Sequence, residues 1–309
     1  MGRAVVVGAA QLGPVARADT RADVVERCLA LLQQAAAMGC QLVVYPELAL
    51  TTFFPRWWMT DQHEVDGFFD REMPGPDTKP LFDEARRLGV GFSLGFAELT
   101  PDGHHYNSQV LVDGDGHEVG RYRKIHLPGH DQHEPWRPFQ HLEKRYFEVG
   151  PEGFRTWRAF GGVVGMAICN DRRWPETYRV LGLQGAELIT IGYNTPVHNP
   201  PAPEHDQHAN FHNQLVMSAG AYQNGSWVVG VAKAGDEEGV AMLGQSSIIA
   251  PSGQVVAQTA TLGDELAVAV CDLDQCTSYK TTVFDFARHR QIQHYGLITQ
   301  RRESVPPPG

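Results

Sequence analysis

The chain has 309 residues, 42% of them hydrophobic, and a net charge of −10 from 36 acidic and 26 Lys or Arg side chains. That balance argues against nucleic acid or an anionic membrane surface as a partner. No run approaches the roughly 18 unbroken apolar residues of a transmembrane helix. The five cysteines, at positions 28, 40, 169, 271 and 276, are odd in number and form no Cys-x-x-Cys pair, so a reduced cytoplasmic protein is expected. The first residues run straight into a strand pattern, without the long apolar region and cleavage site of a signal peptide.

In chain order, residues 4–10 read as a strand. Thr20-Arg-Ala-Asp23 has capping-box character, and Val24, Val25, Cys28, Leu29, Leu32 and Ala36 then recur at helical spacing until Gly39. A strand over 41–46 completes a β-α-β unit. Residues 49–75, rich in aromatics and proline, predict an irregular loop over a site. A helix over 77–88 and a strand over 90–98 follow. Strands over 106–112 and 118–124 flank Asp113-Gly-Asp-Gly116, a hairpin signal. Residues 128–153 read mostly as loop, and 156–160 pairs with 163–168 across Gly161-Gly162. A helix over 175–184, a strand over 187–193, a Pro-rich loop over 194–203 and a helix over about 204–224 come next. Strands are expected at 227–232, 247–250, 255–257 and 265–272. After Leu273 the pattern weakens, and 305–309 should be disordered. Without repeats or a dividing linker, the chain reads as one domain, 1–280, with a C-terminal extension, 281–309. The mixture of parallel and hairpin connections implies an α/β fold with two sheets.

Three of the predicted strands end in chemically complementary groups. Val163 to Ile168 stops at Cys169, followed by Asn170, Asp171, Arg172 and Arg173, with Pro175 suited to a first helical turn. Nearby N–H groups and guanidiniums would lower the thiol pKa and make Cys169 nucleophilic. Read alone, Cys169 is equally well a buried structural thiol. Leu42-Val-Val-Tyr-Pro-Glu47 places a carboxylate after another apolar run, and the strand-like run Gly120-Arg-Tyr-Arg-Lys-Ile-His126 places an amine, Lys124. Strand ends of this kind converge at one edge of an open α/β sheet.

The surrounding residues resemble the carbon–nitrogen hydrolase (nitrilase-like) superfamily, and within it the N-carbamoyl-D-amino acid amidohydrolases. The likeness runs from Ala9-Ala-Gln-Leu-Gly-Pro14 to Gln293-His-Tyr-Gly296. It is most specific in Pro46-Glu-Leu-Ala-Leu-Thr-Thr-Phe-Phe-Pro-Arg-Trp57, Tyr122-Arg-Lys-Ile-His-Leu-Pro-Gly129, His141-Leu-Glu-Lys-Arg-Tyr-Phe147 and Cys169-Asn-Asp-Arg-Arg-Trp-Pro-Glu176. The resemblance implies a four-layer α-β-β-α sandwich. It also implies hydrolysis of N-carbamoyl-D-amino acids to D-amino acid, ammonia and carbon dioxide through a thioester-like intermediate. Cys169 would then be the nucleophile and Glu47 the proton carrier, while Lys124 and the Asn170 backbone N–H stabilise the oxyanion. Glu143 matches a second carboxylate that orients Lys124 or docks the substrate. Arg172 and Arg173 match a pair that holds the amino-acid carboxylate, as guanidinium forks do. His126, His141, Asn194, Thr195 and His212 match positions near the substrate, and Trp57-Trp58 would line its side-chain pocket or simply pack.

Other readings are a related amidase, such as a carbamoyl-β-amino acid hydrolase, and a catalytically silent interaction protein. His198, His205, His208 and His212 cluster in sequence, but no His-x-His or His-Glu-x-x-His pattern accompanies them. No metal or other cofactor is expected. Phe284, Phe286, Ile292, Tyr295 and Leu297 make the extension too apolar to trail in water. A homo-oligomer, dimer or tetramer, with the extension in the contact is therefore expected, against the alternative that it folds back on its own sandwich.

Overall fold

Strands buried between two layers must be apolar on both faces, and the first strand of the computed structural model shows this. The structure describes residues 2–137 and 139–307. In β1 (Ala4–Gln11), Val5, Val7 and Ala9 enter one apolar cluster and Ala10 another. The first half continues through α1 (Arg21–Ala37), β2 (Leu42–Val44), α2 (Gln62–Asp66), α3 (Lys79–Leu88), β3 (Gly91–Leu99), β4 (His105–Val112) and β5 (Glu118–Arg123). The second half holds α4 (Glu143–Tyr146), β6 (Thr156–Ala159), β7 (Gly162–Ile168), α5 (Pro175–Leu183), β8 (Leu188–Tyr193), α6 (Ala209–Asn224) and β9 (Trp227–Ala232). After these come β10 (Ala234–Glu237), β11 (Val240–Leu243), β12 (Ser247–Ile249), β13 (Val255–Gln258) and β14 (Glu265–Asp272). The domain ends with α7 (Gln275–Lys280), and the extension adds α8 (Phe286–His289) and α9 (Gly296–Gln300).

Two six-stranded sheets result, ordered β14-β1-β2-β3-β4-β5 and β13-β12-β9-β8-β7-β6. In each, three consecutive strands run parallel, β1-β2-β3 and β7-β8-β9, and the strands outside them pair antiparallel. On one outer face α1 and α3 bury Val24, Cys28, Leu32, Leu81, Phe82 and Ala85 against Val43, Phe92 and Val110. On the other, α5 and α6 bury Tyr178, Leu181, Met217 and Ala221 against the second sheet. That cluster continues between the sheets through Val5, Val7, Ala9, Leu42 and Val44. The layers are therefore α-β-β-α, as expected. The sheets meet along a seam, where Leu12 bridges to Lys233.

The capping box of α1 is present, with Thr20 and Asp23 bonded reciprocally. Four segments depart from expectation. The loop over 49–75 contains α2 and a 3-10 turn at Phe54–Arg56, and the loop over 128–153 contains α4. The helix expected from 204 begins as a 3-10 turn, Pro203–His208, and becomes α-helical at Ala209. The hairpin β10–β11 falls in residues for which no strand was expected. In the extension, the Phe284 ring meets Tyr222 at 4.9 Å and Arg179 lies 4.2 Å from the Phe286 ring, so this part folds back. Ile292, Leu297, Ile298 and Val305 are exposed. Of the segment expected to be disordered, residues 308 and 309 lie outside the described residues, and 305–307 have no regular structure. Among the described residues no helix is long and apolar enough to cross a membrane.

The fold brings the Glu47 backbone close against two other strands. A Cβ on Gly192 of β8 would stand 2.4 Å from the Glu47 nitrogen and 2.7 Å from the Pro46 carbonyl carbon. Gly95 of β3 is as tightly placed, 2.5 Å from the Pro46 oxygen. These contacts are with backbone, which cannot swing aside. Gly192→Ala is therefore expected to destabilise the protein by about 1–3 kcal/mol, the usual cost of overpacking, and to displace Glu47. Urea denaturation reads the first effect, and unchanged stability would contradict the packing.

Candidate active site

Three ionisable side chains from separate segments meet in the interior, each fully buried. Lys124, just past β5, donates from Nζ to Glu47 Oε1 at 2.7 Å and to Glu143 Oε2 at 2.5 Å. Glu47 follows β2 after Pro46, and Glu143 opens α4. Each carboxylate has further donors. Asn107 of β4 gives Glu47 a bond at 2.7 Å, the Asn194 N–H another at 2.9 Å, and His141 Nε2 lies 3.0 Å from Glu143 Oε1. An ammonium carries three N–H bonds, and two of those on Lys124 are spent on the carboxylates.

Cys169 sits where β7 passes into a 3-10 turn, Cys169–Arg173, with its backbone at φ 45°. A non-glycine residue in that region is strained, as residues at active sites often are. Its Sγ lies 3.5 Å from the Asn194 carbonyl oxygen, and Asn194 Nδ2 holds the Glu47 carbonyl at 2.8 Å. Asn194 thus links the thiol-bearing segment to the Glu47 segment. Thr195 beside it is also buried.

The residues after Cys169 divide by burial. Asp171 is fully buried and accepts from the Tyr122 hydroxyl at 2.8 Å, the Ile168 N–H at 3.0 Å and the His126 N–H at 3.0 Å. His126 Nδ1 lies 2.8 Å from the same carboxylate, and Asn170 Nδ2 donates to the His126 carbonyl. Arg172 departs from the reading of a free carboxylate anchor. It is 1% exposed, and its donors reach Asn213 Oδ1 at 3.0 Å, the Cys169 carbonyl at 2.7 Å and the Thr195 hydroxyl at 2.8 Å. Its Nη1 is 3.8 Å from Cys169 Sγ, and its guanidinium lies over the Tyr193 ring at 4.3 Å. Arg173 is exposed and has no hydrogen-bond or ion-pair partner among the described residues. It lines a small cavity of about 100 Å³ with Tyr178, Gly220 and Gln223.

His212 is exposed on α6, its ring beside His208, His205 and Phe211 rather than the buried cluster. Trp58 stacks on His133 at 4.6 Å under the Arg145 guanidinium, and Trp57 is flanked by Arg17 and Arg56, so both pack. Three buried polar residues escaped the sequence reading: Asp171, Asn107 and Asn213. Asp171 lies two positions after Cys169, so it carried a signal, whereas Asn107 sits in the polar run Asn107-Ser108-Gln109 and did not stand out. Asn213 carried none.

The electrostatics correct the expectation of a lowered thiol pKa. Burial, aided by the Glu47 charge, pushes Cys169 up to about 11 in spite of Lys124 and Arg172, so the thiol is neutral near pH 7. Burial also raises Glu47, beyond what the Lys124 charge offsets. For Glu143 burial acts upward too, but Lys124 and His141 outweigh it and hold the carboxyl below its usual range. Burial opposes the Lys124 charge, but Glu143 and Glu47 keep it an ammonium. A neutral thiol beside a carboxylate of raised proton affinity can pass its proton as it attacks, the arrangement of general-base catalysis.

The carbon–nitrogen hydrolase family matches residues 6–281. A nitrilase of Pyrococcus abyssi is 33% identical, over 79% of this chain and 81% of its own. An N-carbamoylputrescine amidase of Arabidopsis thaliana is 29% identical over 96% of both chains, and a citrullinase of Francisella tularensis 28% over 93% and 92%. A carbon–nitrogen hydrolase from Helicobacter pylori has the same fold, with a TM-score of 0.83 over 97% of this chain and 99% of its own, at 22% identity. These relatives do not single out the N-carbamoyl-D-amino acid amidohydrolases. The chain belongs to the carbon–nitrogen hydrolase (nitrilase) superfamily and is a hydrolase acting on C–N bonds.

Proposed function

We propose that the protein hydrolyses N-carbamoyl-α-amino acids, and the D isomers by preference, to amino acid, ammonia and carbon dioxide. The observation that carries the reaction is the buried Lys124 ammonium shared by Glu47 and Glu143 in the electrostatic reach of the Cys169 thiol. The D preference rests on the sequence resemblance. Relatives named for N-carbamoylputrescine and citrulline act on compounds that bear the same carbamoyl group. A structure of a mutant of an amidase from Nesterenkonia sp. AN1 shows covalent addition of the acetamide moiety of fluoroacetamide at its active-site cysteine.

In the first half-reaction the Cys169 proton passes to Glu47 and sulfur attacks the carbamoyl carbon. The carbonyl oxygen takes the negative charge, met by the third N–H of Lys124 and the backbone N–H of Asn170. A fixed donor of this kind typically contributes about 3 kcal/mol to lowering the barrier. The intermediate collapses, one C–N bond breaks, and Glu47 returns the proton to the departing nitrogen. A thiocarbamate remains on Cys169. Glu47 then takes a proton from water, and the hydroxide adds to the carbon. The C–S bond breaks, and the thiol recovers the proton. The released carbamate decomposes to carbon dioxide and the second amine, whichever nitrogen left first.

Arg173, which has no hydrogen-bond or ion-pair partner among the described residues, reads the substrate carboxylate, and Arg172 holds the Cys169 carbonyl and Thr195 in place. His126, His141, Asn194 and Thr195 wall the site. A carbamoyl amine lacking a carboxylate is the second reading, favoured by the N-carbamoylputrescine relative. Its cationic tail would meet the Arg173 guanidinium, which argues against it.

Ammonia release from N-carbamoyl-D- and L-amino acids, N-carbamoyl-β-amino acids and N-carbamoylputrescine tests the proposal, with the D-α compounds expected to turn over fastest. Failure of all four classes would overturn it. Losing one charge-assisted anchor should lower kcat/KM of the carboxylate substrates by about 10- to 100-fold in Arg173→Ala, while N-carbamoylputrescine changes little. Arg172→Ala should instead slow every substrate alike. Equal damage from Arg173→Ala to both substrate classes would remove the carboxylate role.

We further propose a homo-oligomer, its contact formed in part by the exposed Ile292, Leu297 and Ile298 of the extension. Light scattering should give at least a dimer, and Leu297→Glu with Ile298→Glu should weaken it. A monomeric parent chain would contradict this.

A further inference from the structure

Glu237 is a fully buried carboxylate on β10, away from the strand ends that carry the site. Arg56 Nη2 donates to its Oε1 at 2.6 Å, and Lys233 Nζ lies 3.3 Å from its Oε2. All three side chains are almost or entirely without solvent contact. We infer that Glu237, with Lys233 and Arg56, is a positioning cluster that holds the segments bearing Glu47, Glu143 and Thr195 in register for the reaction proposed above.

The bonds of this cluster run to all three segments. Glu237 accepts the Phe53 N–H at 2.8 Å and the Thr52 hydroxyl at 3.3 Å, and Lys233 Nζ donates to the Thr51 carbonyl. Residues 51–53 lie four to six positions beyond Glu47, so the cluster anchors the far side of the Glu47 turn. Arg56 donates to the Phe53 and Glu237 carbonyls. The Arg56 and Pro55 carbonyls then accept from the Gln140 N–H at 2.9 Å and the Leu142 N–H at 2.8 Å. Those two residues flank His141 and lead directly into Glu143. On the third side, β10 pairs with β11. Residues at and beside β11 hold the 195–197 segment through Leu243 N–H to the Thr195 carbonyl at 2.8 Å and Val197 N–H to Ala241 at 2.9 Å. The Val15 N–H also donates to Glu237, and Lys233 itself bridges to Leu12, which fixes the cluster to the seam between the sheets.

A hydrophobic plug of the same volume would serve stability as well or better, because buried ion pairs seldom stabilise net of desolvation. What the charged cluster adds is direction, since each bond fixes one backbone group. It also adds charge. Two cations and one carboxylate leave the seam one net positive, against one net negative for Glu47, Lys124 and Glu143. The charged or ionisable groups about Glu47 include Lys124, Glu143, Cys169 and Lys233. Those about the seam include Arg56, Lys233, Glu237, Asp236, Glu238 and the Cys28 thiol. Burial lowers the Lys233 pKa despite Glu237, while Lys233 and Arg56 overcome burial and hold Glu237 ionised.

Glu237→Gln keeps the shape and leaves two cations uncompensated, whereas Lys233→Met removes one cation and leaves Arg56 on Glu237. Two readouts are needed. The first uses no substrate: the rate at which iodoacetamide labels Cys169, followed by peptide mass mapping on variants shown to be folded by circular dichroism. Misplacement of Glu47 should slow labelling about 10-fold in both variants, and kcat for N-carbamoyl-D-amino acids should fall at least as far with KM within about threefold. The second is the acid limb of kcat/KM, set by Glu47. Extra positive charge favours the carboxylate, so Glu237→Gln should move the limb to lower pH; Lys233→Met should move it to higher pH. Opposite shifts support the proposal, because a general loss of structure would move both variants the same way. Unchanged labelling in folded Glu237→Gln, or limb shifts of the same sign, would overturn it. If Glu237→Gln fails to fold, Lys233→Met decides by the same measures, with unchanged labelling or an unmoved limb counting against. A parent protein that labels at Cys169 but turns over no carbamoyl compound would sink the substrate reading and leave the positioning test standing.

Discussion

Burying the Lys124 ammonium is the constraint on which the rest of the site depends. An isolated charge in the interior is prohibitively costly, and it is tolerated only when paired and hydrogen-bonded. Here the pairing is double, with Glu47 at 2.7 Å and Glu143 at 2.5 Å. Each partner comes from a different part of the chain, one after β2 and the other from α4. The ammonium can therefore exist only if the first sheet, the loop over 49–75 and the segment around 141 all arrive together. Removing either carboxylate would strip the ammonium of one of its two hydrogen-bond partners, so the fold and the chemistry stand on the same bonds. The remaining lysine N–H is what the pair leaves available for a developing oxyanion.

The thiol follows from the same burial. A cysteine at a strand end near guanidiniums suggests a lowered pKa, but Arg172, 3.8 Å from the sulfur, does not act as a free charge. Arg172 is committed to Asn213, Thr195 and the Cys169 carbonyl. The loss of water then dominates, Cys169 rests as a thiol, and Glu47 has raised proton affinity from the same cause. In the reaction proposed above the proton would then move only as the sulfur attacks, and the sulfur would rest as a neutral thiol between turnovers. The positively charged seam of Arg56, Lys233 and Glu237 balances the negatively charged site, so the interior approaches neutrality overall.

Much of this was legible in the sequence because a strand end reports itself twice. An apolar run followed at once by a polar residue both predicts the strand and marks what its end presents. Glu47 and Cys169 are of this kind, Lys124 ends a strand of mixed composition, and the fold brings the three together. Glu143 was legible only through family resemblance, since its segment looks like an exposed charged turn. The hairpin β10–β11 was missed for a related reason. Asp236-Glu237-Glu238-Gly239 has the composition of a solvated loop, and only Arg56 and Lys233, distant in sequence or a turn away, make Glu237 an interior residue. Arg172 and Arg173 are adjacent and identical in type, and nothing local reveals that one faces Asn213 across 41 positions while the other stays exposed. Long-range partners of polar groups are what single-chain patterning cannot supply.

The central claim, that the sulfur of Cys169 carries the carbamoyl carbon through the reaction, is most directly tested by acid-quenching the enzyme during turnover of an N-carbamoyl-D-amino acid. Peptide mass mapping of the quenched protein then locates any adduct. The expected result is a thiocarbamate on the peptide containing Cys169, absent from Cys169→Ala, which should release no ammonia. A Cys169→Ala variant that still turns over, or an adduct mapped to another cysteine, would contradict the account.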